Sequence, residues 1–83
     1  MNNKVLVEII VPSIEERYDM YIPINKRIGK IIEQITKTIN DMTDNSLGDS
    51  KLVFYNKETK EKYKMNDLVY YTNIRNGTSL ILL

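Results

Sequence analysis

The chain has 83 residues, enough for one hydrophobic core and a single domain over residues 1–83, and its 42% apolar and 28% charged residues are the balance of a folding sequence. Twelve Lys and Arg against eleven Asp and Glu leave a net charge of +1, without the basic excess that tracks phosphates, so nucleic acid is not an expected partner. The absence of cysteine and histidine excludes disulfides, thiolate and imidazole metal sites, cysteine nucleophiles and serine–histidine triads.

The polar start Met1-Asn2-Asn3-Lys4 leads into apolar stretches that Glu8 divides, too short for a signal sequence or a membrane span. A cytoplasmic protein without membrane insertion is expected. Lys4 to Val11 alternates Val5, Val7, Ile9 and Val11 against Leu6, Glu8 and Ile10, the pattern of a strand with one face in a core. Pro12 to Glu16 interrupts it, and Tyr18 to Ile24 resumes the alternation with Met20, Ile22 and Ile24 in phase, which predicts a hairpin. Pro23 cannot donate to a ladder, so the second strand belongs at an edge.

At Ile28 the period changes. Ile28, Ile31, Ile32, Ile35, Ile39 and Met42 form one stripe of a helix expected over Lys26 to Met42, with Asn25 in the position of its N-cap. Gly29 costs that helix roughly 1 kcal/mol relative to Ala, which burial of the stripe must offset. Asp41 to Ser50 reads as a solvated polar loop, since its aspartates lack the spacing of an EF-hand. Lys51 to Tyr55 reads as a third strand with Leu52 and Phe54 inward. A charged turn at Lys57 to Lys60 leads to a short strand around Glu61 to Met65, and Asn76-Gly77 is a turn before a final strand over Thr78 to Leu83.

A hairpin, a helix and further strands beside the first predict an α+β fold of the β-grasp type, a mixed four- to five-stranded sheet with one helix across it, an arrangement several families share. Ile74-Arg75-Asn76-Gly77-Thr78-Ser79-Leu80-Ile81-Leu82, with Val69 before it, fits I-x-x-G-x-x-L-x-L. Together with Tyr18-Asp19-Met20-Tyr21-Ile22 and Ile28-Gly29-Lys30-Ile31-Ile32-Glu33, this resembles the bacterial YukD-like ubiquitin-like proteins and, more loosely, ubiquitin. The resemblance implies a cytoplasmic accessory of a type VII (WXG100-exporting) secretion system that binds protein and forms no conjugates. The chain closes on Leu80-Ile81-Leu82-Leu83 without a diglycine, so activation of a C-terminal carboxylate is not expected. The alternatives are a modifier or sulfur carrier activated at that terminus, and a β-grasp scaffold of an unrelated complex that self-associates through the second strand or the sheet face.

Catalysis is not expected. Glu15-Glu16 and Asp41 with Asp44 read as solvated loop charges, Lys57, Lys60, Lys62 and Lys64 are interleaved with Glu58 and Glu61, and the three glycines are too scattered to cradle phosphate. No cofactor is implied. Of Tyr70 and Tyr71, one is expected inside and one outside. Alternation turns Leu6, Ile10, Val53, Tyr55, Ile81 and Leu83 away from the helix, and these six are the candidate protein-binding residues, on the face that in ubiquitin carries the principal recognition patch.

Overall fold

A computed structural model describes residues 3–83; Met1 and Asn2, part of the polar start on which a cytoplasmic location was expected, lie outside the described residues. The first strand, β1, runs Lys4–Val11 and pairs antiparallel with β2, Glu16–Pro23. Val5 stands opposite Ile22, Val7 opposite Met20 and Ile9 opposite Tyr18 on the inner face. Pro12 opens a 3-10 turn, and Glu15 follows in the left-handed region at φ 53°, its N–H donating to the Pro12 carbonyl at 3.1 Å. That reversal starts β2 at Glu16, earlier than the alternation from Tyr18 suggested.

The helix α1 covers Ile28–Met42 and buries Ile28, Ile31, Ile32, Ile35 and Ile39. They share one core with Val7, Ile9 and Val11 of β1, Phe54 of β3 (Phe54–Asn56), and Leu80 and Leu82 of β4 (Ser79–Leu82). Each buried isoleucine contributes roughly 1.5–3 kcal/mol, so the stripe outweighs the cost of Gly29. Two expectations fail here. Met42 is exposed, and the N-cap is Arg27, without a side-chain cap, rather than Asn25. The first amides are satisfied from a distance in sequence: Ile28 N–H donates to the Asp67 carbonyl and Gly29 N–H to the Met65 carbonyl, both at 2.9 Å. That close approach explains Gly29, because a Cβ there would sit 3.3 Å from the Met65 oxygen.

The sheet is mixed and four-stranded in the order β2-β1-β4-β3, with β4 parallel to β1 and antiparallel to β3. It places β2 at an edge, as Pro23 required. The third strand is shorter and later than Lys51 to Tyr55, and the short strand at Glu61 to Met65 is absent, replaced by a single bridge from Tyr55 to Lys62. Asn56 is the reason the chain turns there. Its Oδ1 accepts from the N–H groups of Glu58 and Thr59 at 2.8 and 3.0 Å, closing the turn across which Asn56 N–H donates to the Glu61 carbonyl at 2.9 Å and Tyr63 N–H to the Phe54 carbonyl at 3.0 Å; the pairing ends there.

The loop after α1 is anchored as well as solvated. Leu47 is buried, and Asn40 reaches from the helix to bond Gly48 through Nδ2 and the Leu47 N–H through Oδ1. Tyr70 and Tyr71 are both exposed, contrary to the one-in, one-out expectation, because a 3-10 turn over Val69–Tyr71 sends Val69 alone into the core. Gly77, at φ 91°, makes the turn into β4, which begins at Ser79 rather than Thr78.

Candidate binding surface

Phe54, Leu80 and Leu82 are buried against the helix side, so their neighbours along β3 and β4 project from the opposite face. Register decides which of them meet. Ile10 of β1 pairs with Ile81 of β4, and Ile81 pairs with Tyr55 of β3, which places the three in one row across the sheet. The row continues to Arg17 of β2, opposite Ile10, and through the isolated bridge to Lys62, opposite Tyr55. Its centre is therefore apolar and both ends are cationic.

Val53 and Leu83 extend the apolar area by one step. They exchange two main-chain hydrogen bonds, Val53 N–H to the Leu83 carbonyl at 2.9 Å and Leu83 N–H to the Val53 carbonyl at 3.0 Å. Leu83 is 58% exposed, while Ile10, Val53, Tyr55 and Ile81 are half-buried by one another and their neighbours. Five of the six sequence-predicted residues thus form one surface. Leu6 does not join it. The polar row Asp19, Glu8 and Ser79 lies between Leu6 and Ile10, and Leu6 instead stands opposite the exposed Tyr21.

The polar row is bonded internally. Glu8 accepts from Arg17 Nη1 at 3.1 Å through Oε2 and from Ser79 Oγ at 2.8 Å through Oε1. At the far end of the sheet, Asn76 Oδ1 accepts the Leu6 N–H at 2.8 Å, which fastens the turn before β4 to β1. A second polar cluster lies under the Lys57 to Lys64 loop. Asn56 Nδ2 donates to Tyr63 Oη at 3.0 Å, and Tyr63 Oη donates to Asn73 Oδ1 at 2.6 Å. Burial raises the Tyr63 pKa above its ordinary 10.0; the hydrogen bond from Asn56 opposes this and the Glu61 charge adds to it. The cluster is a structural clasp, and sequence reading passed over it because neither Asn56 nor Tyr63 belongs to an apolar period.

Among the described residues there is no group of acidic side chains that could hold a metal ion, and no helix is long and apolar enough to cross a membrane. No family model and no curated protein matches the chain by sequence. Solved structures do resemble it. A chain of the MycP5-free ESX-5 inner membrane complex superposes with a TM-score of 0.79 at 10% identity, covering 99% of this chain but 21% of that one. The ubiquitin-like domain of the Mycobacterium tuberculosis type VII secretion system protein ECCD1 superposes at 0.74 with 12% identity over 100% of this chain and 99% of that one. A chain of the toluene 4 monooxygenase HD complex with 4-bromobenzoate reaches 0.76 at 5% identity, covering 95% of each. The fold is therefore the ubiquitin-like β-grasp, one helix on a mixed four-stranded sheet.

Proposed function

We propose that the protein is a ubiquitin-like adaptor that binds a protein component of a type VII secretion system on the cytoplasmic side, without being conjugated to it. The observation that carries this reading is the continuous apolar surface of Ile10, Ile81, Tyr55, Val53 and Leu83 on the face the helix leaves open. A contiguous apolar area on a soluble domain marks a place where another protein is bound. Its placement on a fold shared with an ECCD1 domain supports the choice of machine, although the fold alone also occurs in a monooxygenase complex.

The test is co-purification of the host's type VII membrane complex with the tagged chain, beside Val53→Asp and Ile81→Asp. Both substitutions place a carboxylate at a half-buried outward position and leave the inner core untouched. Wild type should retain the complex and both variants should lose it. Equal retention by all three proteins would move the site elsewhere, and a ladder of heavier adducts on a denaturing blot would overturn the non-conjugated reading.

A further inference from the structure

Asp19 occupies a position that the single chain leaves unfavourable. In the β1–β2 register it stands directly opposite Glu8, a like-charge pair on one face of two adjacent strands. Glu8 is compensated by Arg17 and Ser79. Asp19 is not: the ion pairs among the described residues are Arg17 with Glu8 and Lys30 with Glu33, and no hydrogen bond reaches the Asp19 side chain.

The same strand has an open edge. Leu6 and Glu8 direct their main-chain groups toward the β4 side, Leu6 accepting from Gly77 N–H and Glu8 donating to the Thr78 carbonyl, while Ile24 N–H bonds Asn3. Alternation then assigns Tyr18, Met20 and Ile22 to the bonds with β1 and turns the N–H and C=O groups of Arg17, Asp19 and Tyr21 to the free edge. The strand is eight residues long with an unbroken register, and Pro23 blunts it only at its end.

We infer that β2 pairs antiparallel with β2 of a second copy about a twofold axis at Tyr18, so that Arg17 of each copy meets Asp19 of the other. Only an odd-to-odd pairing joins the outward-directed groups, which restricts the registers to steps of two. The neighbouring registers set Arg17 against Arg17 or Asp19 against Asp19, and the next one sets Asp19 against Tyr21 without a charge pair. The twofold at Tyr18 alone matches opposite charges, twice, and it leaves Pro23, which has no N–H, outside the ladder. Arg17 uses Nη1 for Glu8 of its own chain and keeps its other donors for Asp19 of the second copy. Such a pair of copies forms one continuous sheet with both Ile10–Ile81–Tyr55 rows on the same face, a bivalent surface that raises avidity for a repeated partner without any new contact. The pairing itself stands on the edge and its charges, independently of what the apolar face binds.

Sedimentation equilibrium of the full chain at low salt, from about 10 µM to about 1 mM, tests it. Wild type should self-associate to a dimer. Arg17→Asp and Asp19→Arg, each keeping the wild-type circular dichroism, should each weaken the dimer on the order of tenfold or more, because two attractive pairs become repulsive. An equimolar mixture of the two variants should recover it, since both edge carboxylates of the first variant then face both edge guanidinium groups of the second. A monomer at every concentration overturns the inference. So does a dimer that neither substitution weakens, or a mixture that fails to recover, because either result places the contact on another surface or in another register.

Discussion

Residues 4–42 spend nearly all their length in two eight-residue strands and a fifteen-residue helix, whereas of residues 43–83 only Phe54–Asn56 and Ser79–Leu82 are strand. The first region is organised by repetition: period two, a turn, period two again, then a 3.6 period, each apolar residue supporting its neighbour's placement. The second is organised by single side chains. Asn56 closes the turn after β3, Thr72 Oγ1 takes the Ile74 N–H at 3.1 Å, Thr78 Oγ1 takes the Arg75 N–H at 2.8 Å, and Asn76 fastens the last turn to β1. The two regions depend on each other at the start of α1, whose first amides bond carbonyls of Asp67 and Met65. A chain can thus fold half of itself by pattern and half by a few well-placed polar groups, and damage to each half should look different.

The largest effect is expected where the second region reaches into the core built by the first. Phe54 is fully buried, and Phe54→Ala should cost about 3–5 kcal/mol, comparable with the whole stability of so small a domain. Urea denaturation should show a chain that is largely unfolded before denaturant is added. A loss under about 1 kcal/mol would mean that the short β3 contributes little to the core and that the first region is stable largely without the second.

Asn56→Ala should come next, at about 1–3 kcal/mol, since it removes the acceptor for two turn amides and leaves Tyr63 Oη without its donor. The neighbouring phenol makes the same clasp sensitive to alkali. The folded Tyr63 pKa lies above the unfolded one, so its contribution is complete below the unfolded value near 10.0 and is lost as pH rises through the folded value. Thermal melts of wild type should fall more steeply above that pH than melts of Tyr63→Phe. Equal slopes would show that burial of this phenol does not couple to stability.

The smallest effect concerns the junction. A Gly→Ala exchange in an exposed helix interior ordinarily gains about 1 kcal/mol. At Gly29 the new Cβ would press on the Met65 carbonyl oxygen at 3.3 Å, the same atom that accepts the Gly29 N–H, so the midpoint of unfolding should not rise. A clear rise would show that the Met65 segment yields easily and does not fix the start of α1.

What could be read in the sequence follows the same division. The bounds of β1, the edge position of β2 and the buried isoleucines of α1 all derive from periodicity and from Pro23. The expected strand at Glu61 to Met65 is cut to one rung: Glu61 and Tyr63 bond back to Asn56 and Phe54, but beyond Tyr63 the carbonyls of Met65 and Asp67 are taken by the first amides of α1, a pairing distant in sequence that no pattern shows. Tyr70 and Tyr71 were misplaced for a related reason: in a 3-10 turn adjacent residues do not alternate between faces as they do in a strand. The candidate surface was legible in phase but not in extent. Alternation identified all six outward residues and set Glu8 between Leu6 and Ile10, but the polar row that separates them depends on register, which brings Asp19 and Ser79 to either side of Glu8 and which spacing along one strand does not reveal.

Whether a protein partner sits on the face opposite the helix is decided by amide shift mapping. The isotope-labelled chain would be titrated with a purified cytoplasmic domain of the host's type VII membrane complex. Shift changes and line broadening should concentrate at Ile10, Val53, Tyr55, Ile81 and Leu83, leave the exposed helix positions Glu33, Lys37 and Asp41 unmoved, and be lost in Ile81→Asp. Changes confined to the helix, or undiminished in Ile81→Asp, would contradict a partner on this face.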